Sequence, residues 1–394
     1  MLYNFDEIID RSNTSCVKYD LRKALFGTEN IIPMWVADMD FRSPDFVMDA
    51  IRERSRHEIL GYSIRPESYF TALKAWLYRR HKWAVETDWV LFAPGIVPAV
   101  NMAVLAHTRR RDAIIIQPPV YFPFFDAVKK HGRKLLLNGL ILENGRYRMD
   151  FDNLEKLCAS GARMLILSNP HNPGGNAWQP DELRQMAEIC ISHGVLIISD
   201  EIHGDLVNTG LRHTVLASLS PEIAAATITM TAPSKTFNLA GLATASVIIS
   251  NESLRKKFNK VLDALHIGLG NIFGNIASEA AYTHGDAWLD QLLEYINNNI
   301  TLLIETAQNR IPSIEVIRPE ATYMAWINFG RLGLSDKKLQ QFLIREAGLG
   351  LNPGTQFGPG GEGFMRMNLA CPKSTLQKAL DQLIVAIEKL PAIK

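Results

Sequence analysis

The sequence predicts an α/β fold in which a mostly parallel central sheet is joined to a smaller α+β domain. Three observations lead there. The chain has 394 residues, more than one hydrophobic core usually serves, so two domains are expected. From about residue 89 to 250, short β-branched runs alternate with amphipathic stretches. The last hundred residues lose that alternation and mix helices with isolated strand-like pieces.

The alternating region supplies six strand candidates: Trp89–Phe92, Ala113–Gln117, Met164–Ser168, Val195–Ser199, Thr227–Thr231 and Ala245–Ile249. Their apolar runs suit strands buried on both faces, as parallel strands covered by helices are. Pro180–Ser192 opens with Pro180, Asp181 and Glu182, residue types that favour a helix's first turn. Asn144-Gly145 marks a hairpin turn within Leu137–Met149. Asp286–Arg310 reads as one long helix, and Lys373 to about Lys389 as the last. Between them lie strand-like pieces at Glu315–Ile317, Tyr323–Asn328 and Phe364–Asn368. Asn352–Gly363 is rich in Gly and Pro and reads as a loop near a site. The expected division is residues 1–44 as an N-terminal segment joining the small domain, 45–285 as a large domain and 286–394 as the small domain.

Apolar residues make up 47% and charged residues 21%, with a formal net charge of +1. That balance gives no electrostatic case for nucleic acid or an anionic membrane. Arg109-Arg110-Arg111 reads as a solvated helix end. Cys16, Cys158, Cys190 and Cys371 form no CxxC pair and no metal-ligand spacing, so reduced thiols and no metal are expected. The N-terminus lacks an apolar signal region, and no run approaches the ~18 apolar residues of a membrane span. A cytoplasmic protein is expected.

Three motifs carry chemistry, each directly after a strand. Thr231–Gly241 (TAPSKTFNLAG) places Lys235 among Ser234, Thr236 and Asn238. Asp200 ends the run after GVLII, at the strand edge where open α/β sheets bind ligands. Ser168–Gly175 (SNPHNPGG) contains Asn172. Singly, these read as a solvated lysine, a helix N-cap and a Pro/Gly turn. Together, Asn172-Pro173-Gly174, then Asp200, then Ser234-Lys235, resemble the fold-type I pyridoxal-phosphate (PLP) enzymes of the class I/II aminotransferase superfamily in order, spacing and strand-end context.

The resemblance implies a role for each residue. Lys235 would hold PLP as a Schiff base and, once displaced by substrate, remove the Cα proton. Asp200 would keep the pyridine nitrogen protonated. Asn172 would donate its amide to the ring 3′-oxygen. His203 falls where many relatives carry a tyrosine, and either touches this oxygen or packs behind it. Gly95, Ile96 and Val97 would cradle the phosphate at a helix N-terminus. The superfamily's serine or glycine three residues before the lysine is Ala232 here, leaving Thr231 or Ser234 to supply a hydroxyl. Tyr121 would stack on the ring. Tyr62 (GYSIRP) matches a tyrosine that reaches the neighbouring subunit's phosphate, which implies a homodimer. Arg366 (FMRMNLACP) would grip the substrate α-carboxylate through two parallel hydrogen bonds, with Ala37 and Asn172 beside it.

The string Ile32-Pro33-Met34-Trp35-Val36-Ala37-Asp38-Met39-Asp40-Phe41 resembles the MalY/PatB group of cystathionine β-lyases, as do SKTFNLAG and SDEIHGD. That resemblance implies α,β-elimination of a sulfur-substituted L-amino acid to a thiol, pyruvate and ammonia, with Lys235 or Tyr121 protonating the sulfur. An aminotransferase of the histidinol-phosphate or aromatic type shares every motif above. A transcription-factor partner occurs in this group, but no sequence feature marks a surface for one.

Overall fold

A computed structural model describes residues 2–208 and 210–390. Seven strands form the central sheet: β1 (Val90–Ala93), β2 (Ala113–Ile116), β3 (Lys134–Leu137), β4 (Ala162–Ser168), β5 (Leu196–Asp200), β6 (Thr227–Thr231) and β7 (Ala245–Ile248), in spatial order β1-β7-β6-β5-β4-β2-β3. The neighbours from β6 through β5, β4 and β2 to β3 run parallel. Only β7 is reversed, antiparallel to both β1 and β6.

Period-2 side-chain alternation sends successive residues to opposite cores. Ile114, Ile116, Ile166 and Ile198 join one cluster, which includes Ala99, Ala103 and Phe258 from covering helices. Ile115, Leu165, Leu167 and Ile197 join the other, with Leu183, Met186 and Cys190 from the helix Pro180–Ser192. That helix starts with a capping box between Gln179 and Glu182, satisfying two otherwise orphaned backbone donors.

Beyond residue 310 a four-stranded antiparallel sheet forms from β8 (Glu315–Ile317), β9 (Met324–Asn328), β10 (Asn352–Pro353) and β11 (Phe364–Asn368), in order β8-β9-β11-β10. Asn352–Gly363 is therefore not loop throughout: it opens with β10 and continues as a 3₁₀ turn at Gly354–Phe357. The N-terminal segment pairs here too. Ile32–Pro33 lies parallel to Leu349–Gly350, and Asn368 N–H donates to the Met34 carbonyl at 2.8 Å.

The 25-residue helix Asp286–Arg310 connects the two sheets. Near its start Trp288 packs on Phe237, ring centroids 5.6 Å apart. Further along, Asn299 Nδ2 donates to the Leu369 and Cys371 carbonyls, both at 2.9 Å. No helix among the described residues is long and apolar enough to cross a membrane. The Asn144-Gly145 turn has both residues at positive φ, 51° and 74°, and joins the ribbon Ile141–Glu143/Arg146–Arg148. β3, which no sequence signal announced, is an edge strand with its side chains half-buried or exposed.

Gly285 separates the helix Ile272–His284 from Asp286–Arg310. A Cβ there would overlap the Phe237 ring and the Ala281 carbonyl oxygen, and Phe237 is fully buried. Gly285→Ala is therefore expected to cost about 1–3 kcal/mol through overpacking. The measurement is the urea unfolding midpoint, and an unchanged midpoint would contradict the packing described.

Candidate active site

The site lies at the C-terminal edges of the parallel strands, where open α/β sheets form their ligand crevice. β1 ends at Ala93, and Gly95 turns the chain at φ 119° into the helix Ile96–His107. β4 ends at Ser168, four residues before Asn172. Asp200 is the last residue of β5, and β6 leads into the short helix Pro233–Thr236, which carries Lys235.

These ends enclose a cavity of about 220 Å³. Its walls include Ala37, Gly95, Ile96, Val97, Tyr121, Asn172, Asp200, His203, Ser234 and Lys235. The structure thus gathers ten of the residues singled out from sequence. Arg366 stands behind Asn172, 3% exposed. Its Nη1 donates to Asn172 Oδ1 at 2.9 Å, and Nη2 donates to Asn352 Oδ1 at 2.8 Å and the Trp35 carbonyl at 3.1 Å. The guanidinium carbon lies 4.9 Å from the Phe357 ring centroid, and Nε has no partner among the described residues.

Two residues singled out from sequence lie off the cavity wall. Thr231 does not line the cavity: it pairs with Ser246 within the sheet, at a position where the β6–β7 ladder holds it. The wall carries the hydroxyls of Tyr121, Ser168, Ser234 and Thr244, and the buried Thr244 Oγ1 has no partner among the described residues. Tyr62 does not line its own chain's cavity and is fully exposed.

Burial sets the charge states. Asp200 is pushed up to about 7 by burial, with the Ile202 N–H acting the other way. Lys235 is pulled down to about 8 by burial and then by the Arg366 charge. Arg366 itself falls to about 10 for the same first reason. His203 drops to about 3 through burial and the neighbouring cations, so its ring is neutral, with Nδ1 unpartnered. Burial raises the Tyr121 hydroxyl, which keeps it a proton donor.

The string at residues 35–41 contributes mainly through its backbone. Lys235 Nζ donates to the Ala37 carbonyl at 2.5 Å, and the Tyr323 hydroxyl donates to the same oxygen at 3.0 Å. Asn368 Nδ2 bridges the carbonyls on either side, Val36 at 2.7 Å and Asp38 at 2.6 Å. Asn238 accepts from Met39 N–H and donates to the Met39 and Phe41 carbonyls. Arg11 binds Asp38 and Asp40, and buried Lys18 donates to Asp40 at 2.8 Å. Sequence reasoning missed Tyr323, Thr244, Asn352 and Asn368. The available signal was asparagine within or beside strands, where it is depleted unless its amide has a task.

The donor set fits a planar, phosphorylated, aromatic aldehyde. An amine stands ready for imine formation. A carboxylate lies on the same wall as the neutral His203, whose Nδ1 is orphaned. Asn172 spends its oxygen on Arg366, leaving its N–H₂ for a ligand. Backbone N–H groups at Gly95–Val97 and the orphaned Thr244 hydroxyl suit a phosphate.

Asp200 yields a pH test on the cofactor-free chain. Its folded-state value lies above the ordinary 3.8, so its contribution to stability is full below that value and is lost as pH rises through about 7. Asp200→Asn should raise the thermal midpoint of the cofactor-free chain above pH ~7, with the gain fading as pH falls toward ~4. A gain independent of pH would rule out the buried carboxylate as its source.

The profile of aminotransferase class I and II matches residues 29–383. Cystathionine β-lyase PatB of Bacillus subtilis (strain 168) is 43% identical over 385 residues, spanning 98% of this chain and all of that one. Cystalysin of Treponema denticola, solved with pyridoxal 5′-phosphate, superposes with a TM-score of 0.95 at 37% identity, covering 99% of this chain and 100% of that one. The PLP-bound C–S lyase of Staphylococcus hominis gives 0.92 at 34% identity, covering 98% of each. The profile match and the whole-length identity to PatB place the chain plainly: it belongs to the class I and II aminotransferase family.

Proposed function

We propose that this chain is a PLP-dependent carbon–sulfur β-lyase, converting a sulfur-substituted L-amino acid of the cystathionine type to a thiol, pyruvate and ammonia. The observation that carries it is a single cavity holding a depressed lysine, a buried aspartate and an arginine-bound asparagine, in a chain collinear with PatB.

Bound PLP supplies an electron sink for the charge left at Cα. Lys235 holds the cofactor and, when substrate displaces it, is the base for the Cα proton; its lowered value leaves much of the amine neutral near pH 8. Asp200 holds a proton on the ring nitrogen, and a cation there would return the carboxylate to its charged form. Asn172 would donate to the ring oxygen, with the neutral His203 beside or behind it. Gly95, Ile96, Val97, Ser234 and Thr244 would receive the phosphate, and Tyr121 would cover the ring. Arg366 grips the α-carboxylate beside Asn172 and Ala37, fixing which Cα bond faces Lys235. Lys235 or Tyr121 returns a proton to the departing sulfur.

We propose further that the chain works in the cytoplasm as a homodimer, with Tyr62 crossing to the neighbouring phosphate. The full exposure of Tyr62, with Ile59 and Ile64 exposed beside it, supports that reading. A division at residues 44/45 and 285/286 is supported by the strand pairing of Ile32–Pro33 with Leu349–Gly350.

Purified protein given L-cystathionine should release pyruvate and thiol with no keto acid added. A requirement for a keto acid acceptor would make it an aminotransferase instead. Borohydride should fix pyridoxyl on Lys235, and Lys235→Ala should lose that label. Pyridoxyl recovered on a different lysine would overturn the whole assignment.

Arg366→Lys replaces two parallel hydrogen bonds by a point contact. A charge-assisted bond is worth roughly 1.5–3 kcal/mol, so kcat/KM should fall about tenfold to a hundredfold, with the cofactor spectrum little changed. The fall should appear with every L-amino acid tried. A loss confined to one substrate would mean Arg366 reads the side chain.

A further inference from the structure

We propose that Tyr323 is a positioning residue for Lys235, acting through the Ala37 carbonyl that the two side chains share. The inference rests on Lys235 as the base proposed above.

One oxygen accepts two donors here, Lys235 Nζ at 2.5 Å and the Tyr323 hydroxyl at 3.0 Å. A carbonyl has two lone pairs and can serve both. The carbonyl is itself held, because Asn368 Nδ2 pins the carbonyls of Val36 and Asp38 on either side. Tyr323 is 1% exposed, and its ring meets that of His203 edge-on at 6.2 Å. Burial and the Asp38 charge raise the Tyr323 hydroxyl far above its ordinary value, so it stays a donor throughout the working pH range.

The amine must leave that oxygen to act. In the base step the Cα–H bond breaks and the proton joins the Nζ lone pair. The pair left at Cα forms the Cα=Cβ bond as the Cβ–S bond breaks, and the Cβ–S pair leaves with the sulfur, which takes up a proton. When Lys235 swings away, Tyr323 keeps the Ala37 oxygen hydrogen-bonded, so departure leaves no acceptor stranded. Two donors on one oxygen also hold each other less tightly. Without the phenol, Lys235 alone would satisfy the carbonyl, its ammonium form would be favoured and its release would be harder. Arg366 from β11, Asp38 from the 35–41 string, Asp200 from the end of β5 and His203 just beyond it face the same amine. Tyr323→Phe leaves all of them in place.

The test is Tyr323→Phe, read in two ways. In the holoenzyme, kcat should fall about threefold to tenfold, the effect of one hydrogen bond, with KM within about twofold. The acid limb of the kcat–pH profile should move to higher pH, because that limb reports the base in the substrate complex. In the cofactor-free full-length chain, competitive acetylation of Lys235, followed by peptide mass spectrometry, should show its reactivity midpoint moving the same way. A midpoint that stays put or falls overturns the proposal, as does a rise in KM with kcat unchanged. The labelling reads the amine without turnover. A shifted midpoint in a chain that proved not to be a lyase would therefore support the Tyr323–Ala37–Lys235 contact while the functional reading fell.

Discussion

Arg366 is a buried guanidinium whose three hydrogen bonds all end on neutral acceptors: the side-chain oxygens of Asn172 and Asn352 and the Trp35 carbonyl. Such partners orient a cation without cancelling its charge. The uncompensated charge adds to burial in setting the neighbouring groups. It helps pull Lys235 down to about 8, and it adds to the burial that keeps His203 neutral. All three of the Arg366 acceptors are neutral oxygens, so no protein acid is among them. Asp200, at the end of β5, feels burial most, and is pushed up to about 7. A guanidinium bonded to neutral oxygens thus stands behind Asn172, and a buried acid lies on the cavity wall itself. An amino acid joined to a protonated pyridine ring, as proposed above, has matching polarity.

Keeping three ionisable groups out of water is costly, and the fold offsets that cost with apolar burial on both faces of a seven-stranded sheet. The strand ends stop within one crevice because β4, β5 and β6 run parallel in register. Asp200 lies opposite Ser168 on one side and Met230 on the other. The reversed strand β7 sits outside this group and brings Thr244, just before its first residue, to the same crevice.

This register explains what could be read from sequence. Asn172, Asp200 and Lys235 each follow an apolar β-branched run, so a reader who finds the runs finds the site. The helices Pro180–Ser192 and Asp286–Arg310 lie where their patterns placed them, because one face of each is buried along its length. β3 escaped notice because an edge strand with exposed side chains carries no alternation. Counting back from the lysine by the family's motif points to Thr231 or Ser234, and of these Ser234 lines the cavity. Thr244 reaches the wall from the far side of a turn, and such proximity is tertiary. Asn352 lies beside Arg366 only through the β10–β11 pairing, and that register could not be read from a segment dominated by glycine and proline.

The string at residues 35–41 marks the limit most clearly. It could be recognised by resemblance, yet its side chains explain little of what it does at the cavity. Met39 and Phe41 are buried core, as is Met34 just before the string, and Asp38 and Asp40 are occupied by Arg11 and Lys18. The carbonyls of Trp35 and Ala37 are what touch Arg366 and Lys235. Backbone oxygens are the same in every residue, so composition cannot reveal them. What composition can fix is where the backbone lies. The buried methionines and phenylalanine set its depth, the ion pairs set its register, and Asn238 and Asn368 hold its peptide planes. A segment nearly two hundred residues from Lys235 and more than three hundred from Arg366 thus spans both groups with a single rigid stretch of main chain. Its uncommon sequence follows from that constraint, since a shift of one residue would carry the carbonyls away from both cations at once.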